Sequence, residues 1–190
     1  MRGCGKTDVG LRRHENQDTF AIESNERGLI AVVCDGMGGA EGGQIASAIA
    51  VETFMAQMRA LIREDMTSEQ LRELASFCVA QANNAVYRRA LADESCHGMG
   101  TTLVSAAVTE RAAVICNIGD SRAYLIRGGG MVRITHDHSV VQTLVENGSI
   151  TAEEARMHPN RNLITRALGP EEQARCDAFE VTFTRGDRLL

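Results

Sequence analysis

Three aspartates in this sequence stand beside apolar segments and next to residues that favour turns. Asp35 interrupts AVVCDGMGGAEGG, Asp18 begins DTFAIES, and Asp120 lies in NIGDSRAYL. A carboxylate beside glycines, whose backbone carbonyls can approach a ligand closely, suits a hard divalent cation such as Mg²⁺ or Mn²⁺. Because strand ends on one edge of a sheet can converge, the three carboxylates are candidates for one shared cation site.

Each aspartate also has a simpler structural interpretation. Asp-Gly is a common hairpin signal, Gly-Asp-Ser is good turn chemistry, and Asp18 would serve as a solvated charge at a strand end. A nucleotide-binding loop is excluded by spacing, because G-x-G-x-x-G from Gly36 requires a glycine where Glu41 stands. From the residues alone, the cation site and the turn interpretation both stay open.

The segments around these aspartates predict an α+β fold. Apolar stretches rich in Val and Ile predict strands, and two stripes with helical spacing predict long helices, one after Gly42 and one after a capping box at Thr67 and Gln70. Short turns between consecutive strands imply antiparallel pairing. The predicted strands are 18–24, 28–34, 101–108, 112–118, 123–126, 132–134 and 177–183, and a polar, helix-prone segment with a second capping box fills 135–170.

Length and composition narrow the function classes. A chain of 190 residues predicts one domain, and its net charge of −5 argues against a general binder of nucleic acid or membrane surfaces. No window approaches the 18 apolar residues of a membrane span, and no signal peptide is visible. The six cysteines lack the spacing of a zinc site and predict reduced thiols, so we expect a cytoplasmic protein.

Six blocks in fixed order resemble the metal-dependent protein phosphatase family, of the protein phosphatase 2C type, in its compact bacterial form. The resemblance spans nearly the whole chain, so 1–190 is expected to be one catalytic domain with a flap at about 135–170. It implies a four-layer α-β-β-α sandwich of two antiparallel sheets covered by helices, incomplete at the C-terminal end. The blocks are TDVGLRRHENQD (7–18), CDGMGG (34–39), GMGTTL (98–103), NIGDSRAYLIR (117–127), the segment 136–169 and GDRLL (186–190).

The resemblance implies a protein serine/threonine phosphatase in which two Mn²⁺ or Mg²⁺ ions share the hydroxide that attacks phosphorus. Asp35 matches the carboxylate that bridges both ions, and Gly36 matches the glycine whose carbonyl joins the first. Asp18, with Gln17 beside it, matches the carboxylate that holds metal-bound water. Asp120 matches a ligand of a third ion in bacterial members. Arg13 matches the arginine that binds the substrate phosphate.

The implied substrates are phosphoserine and phosphothreonine proteins, made by bacterial Ser/Thr kinases. The family's flap suits substrate discrimination. The histidines in this segment are expected to lie at the surface or to hydrogen-bond rather than to bind metal; they are His136, His138 and His158.

Two departures from the family pattern leave a second interpretation open. Many bacterial relatives have histidine where Ala40 stands, and the family's remaining ligands of the second metal follow the position matching Leu190. The alternative is therefore a catalytically impaired binding or regulatory domain. We expect a monomer for the complete form and consider a dimer through the incomplete sheet edge for this chain.

Overall fold

A computed structural model describes residues 1–11 and 15–190. In this part of the chain the strands are β1 Asp18–Asn25, β2 Gly28–Met37, β3 Gly100–Thr101, β4 Leu103–Val108, β5 Ala113–Ile118, β6 Tyr124–Arg127, β7 Gly130–Arg133, β8 Asp177–Glu180 and β9 Arg188–Leu189. The α-helices are α1 Gly39–Leu61, α2 Ser68–Ala92, α3 Val140–Glu146 and α4 Ala152–Met157, with a 3₁₀ turn at Glu94–Cys96.

The strands form two antiparallel sheets. The larger has the order β1-β2-β4-β5-β8, with β3 paired to the end of β2, and the smaller has the order β7-β6-β9. The first two strands are joined by a tight turn in which Asn25 and Gly28 are paired. Predicted strand 101–108 is divided at Thr102, and β8 ends at Glu180, although Val181 still donates a backbone hydrogen bond to Ala113.

The helices α1 and α2 cover one face of the large sheet. Their apolar stripes pack with the inward residues of β2, β4 and β5 into the main hydrophobic core, in which Phe54 and Met58 are fully buried. The α2 helix begins at the predicted capping box, where the Thr67 hydroxyl accepts from Gln70 N–H and the Gln70 side chain accepts from Thr67 N–H. The predicted helix after Thr67 and its capping box are thus confirmed.

The small sheet packs on the opposite face of the large one. Alternate residues of β4 and β5, among them Val104 and Ile115, pack with Ile134, Phe179 and Leu189 in this second cluster. The two helices, the large sheet and the small sheet are three successive layers of the predicted four-layer sandwich. The α+β class with two antiparallel sheets is confirmed.

The segment 135–170 contains the short helices α3 and α4, which pack on each other. A backbone bridge between Ser139 and Ile164 joins two parts of this segment, and a bridge from Leu168 to Thr101 ties the segment to the sheet region. A search of the described helices found none with both the length and the apolar character needed to cross a bilayer.

Candidate metal centre

The pairing of β1 with β2 places Asp18 directly opposite Asp35. Side chains of directly paired residues project from the same face of an antiparallel sheet, with Cβ atoms about 5 Å apart. Alternation along β2 puts Asp35 on the same face as Ala31, which packs in the cluster between the two sheets. Both aspartates are exposed to solvent. Two carboxylates therefore lie side by side at the rim of the space between the sheets.

Gly36 is buried against the start of α1, where a side chain has no room. A Cβ built on Gly36 would overlap the carbonyl oxygen of Gly43, and the Gly36 N–H donates to the carbonyl of Gln17 at 3.1 Å. Only glycine lets the backbone after Asp35 pass this close to the helix. Gly36 thus serves a close approach of two backbones rather than a hairpin turn.

Ser47 of α1 fixes the residue that precedes Asp18. Its fully buried hydroxyl donates to the Gln17 carbonyl at 2.7 Å and lies 2.9 Å from the Thr19 hydroxyl. Helix α1 thereby contacts the chain beside both aspartates, at Gln17 before Asp18 and at Gly36 after Asp35. Sequence analysis did not identify Ser47, because a single serine on a helical stripe gives no signal of a partner 30 residues away.

Two consecutive threonines, at the end of β3 and directly after it, hold the backbone of Asp35. The Thr102 hydroxyl accepts from Asp35 N–H at 3.0 Å, and Thr102 N–H donates to the Asp35 carbonyl at 2.9 Å. The Thr101 hydroxyl donates to the same carbonyl at 3.0 Å. Both threonines are buried. They belong to the block GMGTTL, which contributed to the family resemblance but received no role from the sequence.

Thr102 also connects Asp35 to the turn that carries Asp120. Because its hydroxyl accepts from Asp35, it can donate to the Ser121 hydroxyl, 2.7 Å away. Gly119 has a φ of 103° and packs on the Thr102 side chain, leaving no space for a Cβ. Asp120 is half-buried in this turn. The structure thus brings the β5–β6 turn to the strand end that carries Asp35, with Thr102 between them.

His138 supports the same turn from the other side. Its ring Nδ1 accepts from Gly119 N–H at 3.1 Å, and the backbone N–H of His138 donates to the Gly119 carbonyl at 2.9 Å. An accepting Nδ1 places the ring proton on Nε2, which donates to Asp177 at 3.1 Å. Arg166 also donates to Asp177, at 3.2 Å. His138 is therefore a buried hydrogen-bonding residue, as the sequence predicts.

The other two histidines of the segment have their own contacts. The His136 ring lies 5.9 Å from the Phe179 ring, between centroids, and His158 Nδ1 accepts from Asn160 N–H. Neither contact involves the aspartate pair.

The donor set at this edge consists of oxygen atoms. Within residues 1–11 and 15–190, no three His, Cys, Asp or Glu side chains lie close enough to hold a metal ion together. Two paired carboxylates beside a tightly packed glycine fit Mg²⁺ or Mn²⁺, because such ions bind through one or two carboxylates and keep several waters. Burial raises the pKa of the Cys34 thiol far above its ordinary range, so this neighbour would not supply a thiolate.

One predicted site residue cannot be placed. Arg13, expected to bind the substrate phosphate, lies outside the described residues. The structure brings Asp18, Asp35 and Gly36 together, and it packs the turn that carries Asp120 against Thr102 without joining the three carboxylates in one cluster.

Comparison with known proteins identifies the family. The model of the family described as protein phosphatase 2C matches residues 11–169. The chain belongs to the protein phosphatase 2C family. A curated relative named serine/threonine phosphatase stp, from Listeria innocua, is 36% identical over 97% of this chain and 73% of its own. Protein phosphatase PhpP of Streptococcus pneumoniae is 37% identical over 97% of this chain and 74% of its own.

Solved structures of the protein phosphatase 2C family agree with the fold. The serine/threonine phosphatase Stp1 from Staphylococcus aureus superposes with a TM-score of 0.85 at 37% identity, covering 92% of this chain and 68% of its own. The family match includes Asp18, Asp35 and Asp120, while β8 and β9 follow it. These relatives give no support to the alternative of a non-catalytic binding domain.

Proposed function

We propose that this chain is a metal-dependent protein serine/threonine phosphatase that hydrolyses phosphoserine and phosphothreonine. The observation that carries the proposal is the direct pairing of Asp18 with Asp35 at the end of two strands, beside the close-packed Gly36. The names of the protein phosphatase 2C relatives support the reaction class. Phosphate monoesters hydrolyse extremely slowly without catalysis, so the site must supply strong charge stabilisation.

Asp35 and the Gly36 carbonyl would hold Mn²⁺ or Mg²⁺, and Asp120 would contribute to a further ion. When bound, such ions lower the pKa of a water and neutralise charge on the phosphoryl oxygens. Asp18 would orient solvent at the site by accepting hydrogen bonds. Arg13 would bind two phosphoryl oxygens through its planar guanidinium. Thr102 and Ser47 would keep the carboxylate pair in position through the backbone contacts described above.

The flap at about 135–170 would select among substrates, since it borders the Asp120 turn through His138. We propose signalling phosphoproteins made by bacterial Ser/Thr kinases as the substrate class, supported by the bacterial origin of the relatives. The cysteines are free thiols in the structure, which supports a reducing compartment such as the cytoplasm. A monomer is proposed for the complete form, and light scattering would reveal a dimer.

Phosphate release from a phosphothreonine peptide, measured with and without Mn²⁺, tests the proposal. We expect turnover that requires the metal and is lost in Asp35→Asn. The matched control is Asp65→Asn, which alters an exposed carboxylate on the α1–α2 connection. Equal turnover in Asp35→Asn and the control would refute the role of Asp35. Mn²⁺ titration by calorimetry gives a separate readout, in which Asp35→Asn should abolish binding at the site formed by Asp35 and Gly36.

The phosphate-binding role of Arg13 calls for its own comparison. Arg13→Ala should raise KM for the phosphopeptide while leaving Mn²⁺ affinity unchanged. The neighbouring Arg12→Ala removes a similar charge and should change neither quantity. An unchanged KM in Arg13→Ala would overturn the assignment.

A further inference from the structure

Two cysteines converge on the face of the large sheet that α2 covers. Cys116 of β5 is paired with Ala178 of β8, and Cys176 lies two residues before Ala178, on the same face by the alternation of extended chain. Diagonal neighbours in an antiparallel sheet lie about 7–8 Å apart, so a disulfide between them requires a small shift of the chain. The Cys116 side chain is the largest influence on the Cys176 thiol, whose pKa it lowers. The two thiols are therefore neighbours on one face of the sheet.

The two thiols differ in their access to solvent. Cys176 is half-buried and lines an open groove of about 720 Å³ between α2 and β8, with Arg72, Glu73 and Ser76 on its helical wall. Cys116 is fully buried beneath it. A small solute that enters the groove would meet Cys176, whereas Cys116 does not line the groove.

We propose that Cys176 and Cys116 form a redox-active dithiol that a hydroperoxide oxidises to a disulfide. The Cys176 thiolate attacks one peroxide oxygen, the O–O bond breaks, and the departing oxygen takes the proton released by Cys176. Cys176 becomes a sulfenic acid. The Cys116 sulfur then attacks the Cys176 sulfur, and the S–O bond breaks. The hydroxide leaves as water with the Cys116 proton, so the dithiol loses two electrons and the hydroperoxide gains two.

The electrostatics of the pair agree with this order of events. The neighbouring Cys116 side chain lowers the pKa of the Cys176 thiol, and the Ser76 side chain acts in the same direction. The Cys176 side chain and burial raise the pKa of Cys116. Burial also raises the pKa of Cys78, in the covering helix, to about 12. Of these three thiols, Cys176 has the greatest thiolate character, and the thiolate is the form that reacts with peroxide.

Cys176 is next in sequence to a residue that helps to hold the Asp120 turn through His138. Asp177, the next residue after Cys176, accepts from His138, which holds Gly119. A disulfide that shifts the start of β8 would move Asp177 as well. Lower phosphatase activity on oxidation is the consequence we expect, and this consequence alone rests on the proposed function.

The test is peptide mapping of the purified chain after treatment with hydrogen peroxide and alkylation of the remaining thiols. We expect the intact mass to fall by two hydrogens and a peptide linked through Cys116 and Cys176, both reversed by dithiothreitol. In Cys116→Ala, oxidation should stop at a sulfenic acid on Cys176 that dimedone traps. The matched control is Cys4→Ser, which removes an exposed thiol and should leave the linked peptide unchanged.

Two results would overturn the proposal. One is a linkage that joins Cys176 to Cys78 instead of Cys116, and the other is oxidation at Cys4 while Cys176 is alkylated as a free thiol. Mapping of the unaltered chain decides both points without any variant. Because mapping detects a covalent bond, its outcome is independent of whether the chain hydrolyses phosphoproteins.

Discussion

Asp18 and Asp35 are cross-strand partners: the eight-residue pairing of β1 with β2 ends at this carboxylate pair. Like charges directly opposite each other destabilise a sheet, because their repulsion is not offset by packing. A cation between them would remove that repulsion. In the proposed function, a bound cation would relieve the repulsion that the β1–β2 register places between these two carboxylates.

Substitution of Asp35 separates these two effects. In Asp35→Asn we expect Mn²⁺-dependent turnover to fall at least about 100-fold, because loss of metal charge stabilisation is worth several kcal/mol. The melting temperature without metal should be unchanged or slightly higher, since the repulsion from Asp18 is gone. Asp65→Asn should leave both measurements unchanged. A marked loss of metal-free stability in Asp35→Asn would contradict this account.

The hydroxyl of Thr102 joins the Asp35 backbone to the Asp120 turn. In Thr102→Val we expect a loss of about 1–3 kcal/mol in the free energy of unfolding, because a buried N–H loses its acceptor. Mn²⁺ affinity, measured by calorimetry, should also fall.

Thr109→Val is the matched control for Thr102. The Thr109 hydroxyl accepts from Arg111 and Ala112 in the β4–β5 turn, at the opposite end of β4. Its loss should lower stability by a similar amount and leave Mn²⁺ affinity unchanged. If the two variants bind Mn²⁺ equally well, Thr102 has only a structural role.

Gly36 has no space for a methyl group. In Gly36→Ala, overlap with the Gly43 carbonyl should displace the backbone after Asp35 at a cost of about 1–3 kcal/mol, and it should weaken Mn²⁺ binding. Gly130→Ala is the control, because the nearest atom to its new Cβ is an oxygen 3.5 Å away. Urea unfolding would compare the two. Equal midpoints would show that the close approach at Gly36 is not required.

The ion pair between Arg127 and Asp187 joins β6 to the turn before β9. Their Nη2 and Oδ2 atoms lie 2.6 Å apart, and the hydrogen bonds from Arg127 and Thr184 hold the pKa of Asp187 well below its ordinary range. A carboxyl with a lowered folded-state pKa contributes stability above its unfolded value, about 4, and loses it as the pH falls toward the folded value.

Thermal melts across the acid range check this contribution. The melting temperature of Asp187→Asn should be lower than that of the unaltered chain at neutral pH, and the difference should shrink as the pH drops below about 4. Asp65→Asn removes an ion pair whose side chains are more than half exposed, so its difference should be small at every pH. If the difference in melting temperature between Asp187→Asn and the unaltered chain stays constant with pH, ionisation of Asp187 is ruled out as its cause.

Local patterns predicted most of the fold, whereas the supports of the site came from contacts between distant residues. The β1–β2 hairpin and the capped helix α2 follow from turn residues, alternation and capping, which all act within a few positions. Thr102 and Ser47 reach partners 67 and 30 residues away, and no local pattern records such pairs. The division at Thr102 has the same origin, because its side chain is committed to Asp35 and Ser121 rather than to a strand face.

The hairpin turn between Asn25 and Gly28 determines the geometry of a site at the other end of the strands. The turn and the carboxylate pair are separated by roughly 24 Å of extended chain. One residue inserted into the turn would slip the pairing and send Asp18 to the opposite face of the sheet from Asp35. The length of a hairpin turn usually varies freely. Here it is constrained, because the alignment of the carboxylate pair at the far end of the strands depends on it. The length of this turn is thus a marker of whether a related sequence retains the carboxylate pair.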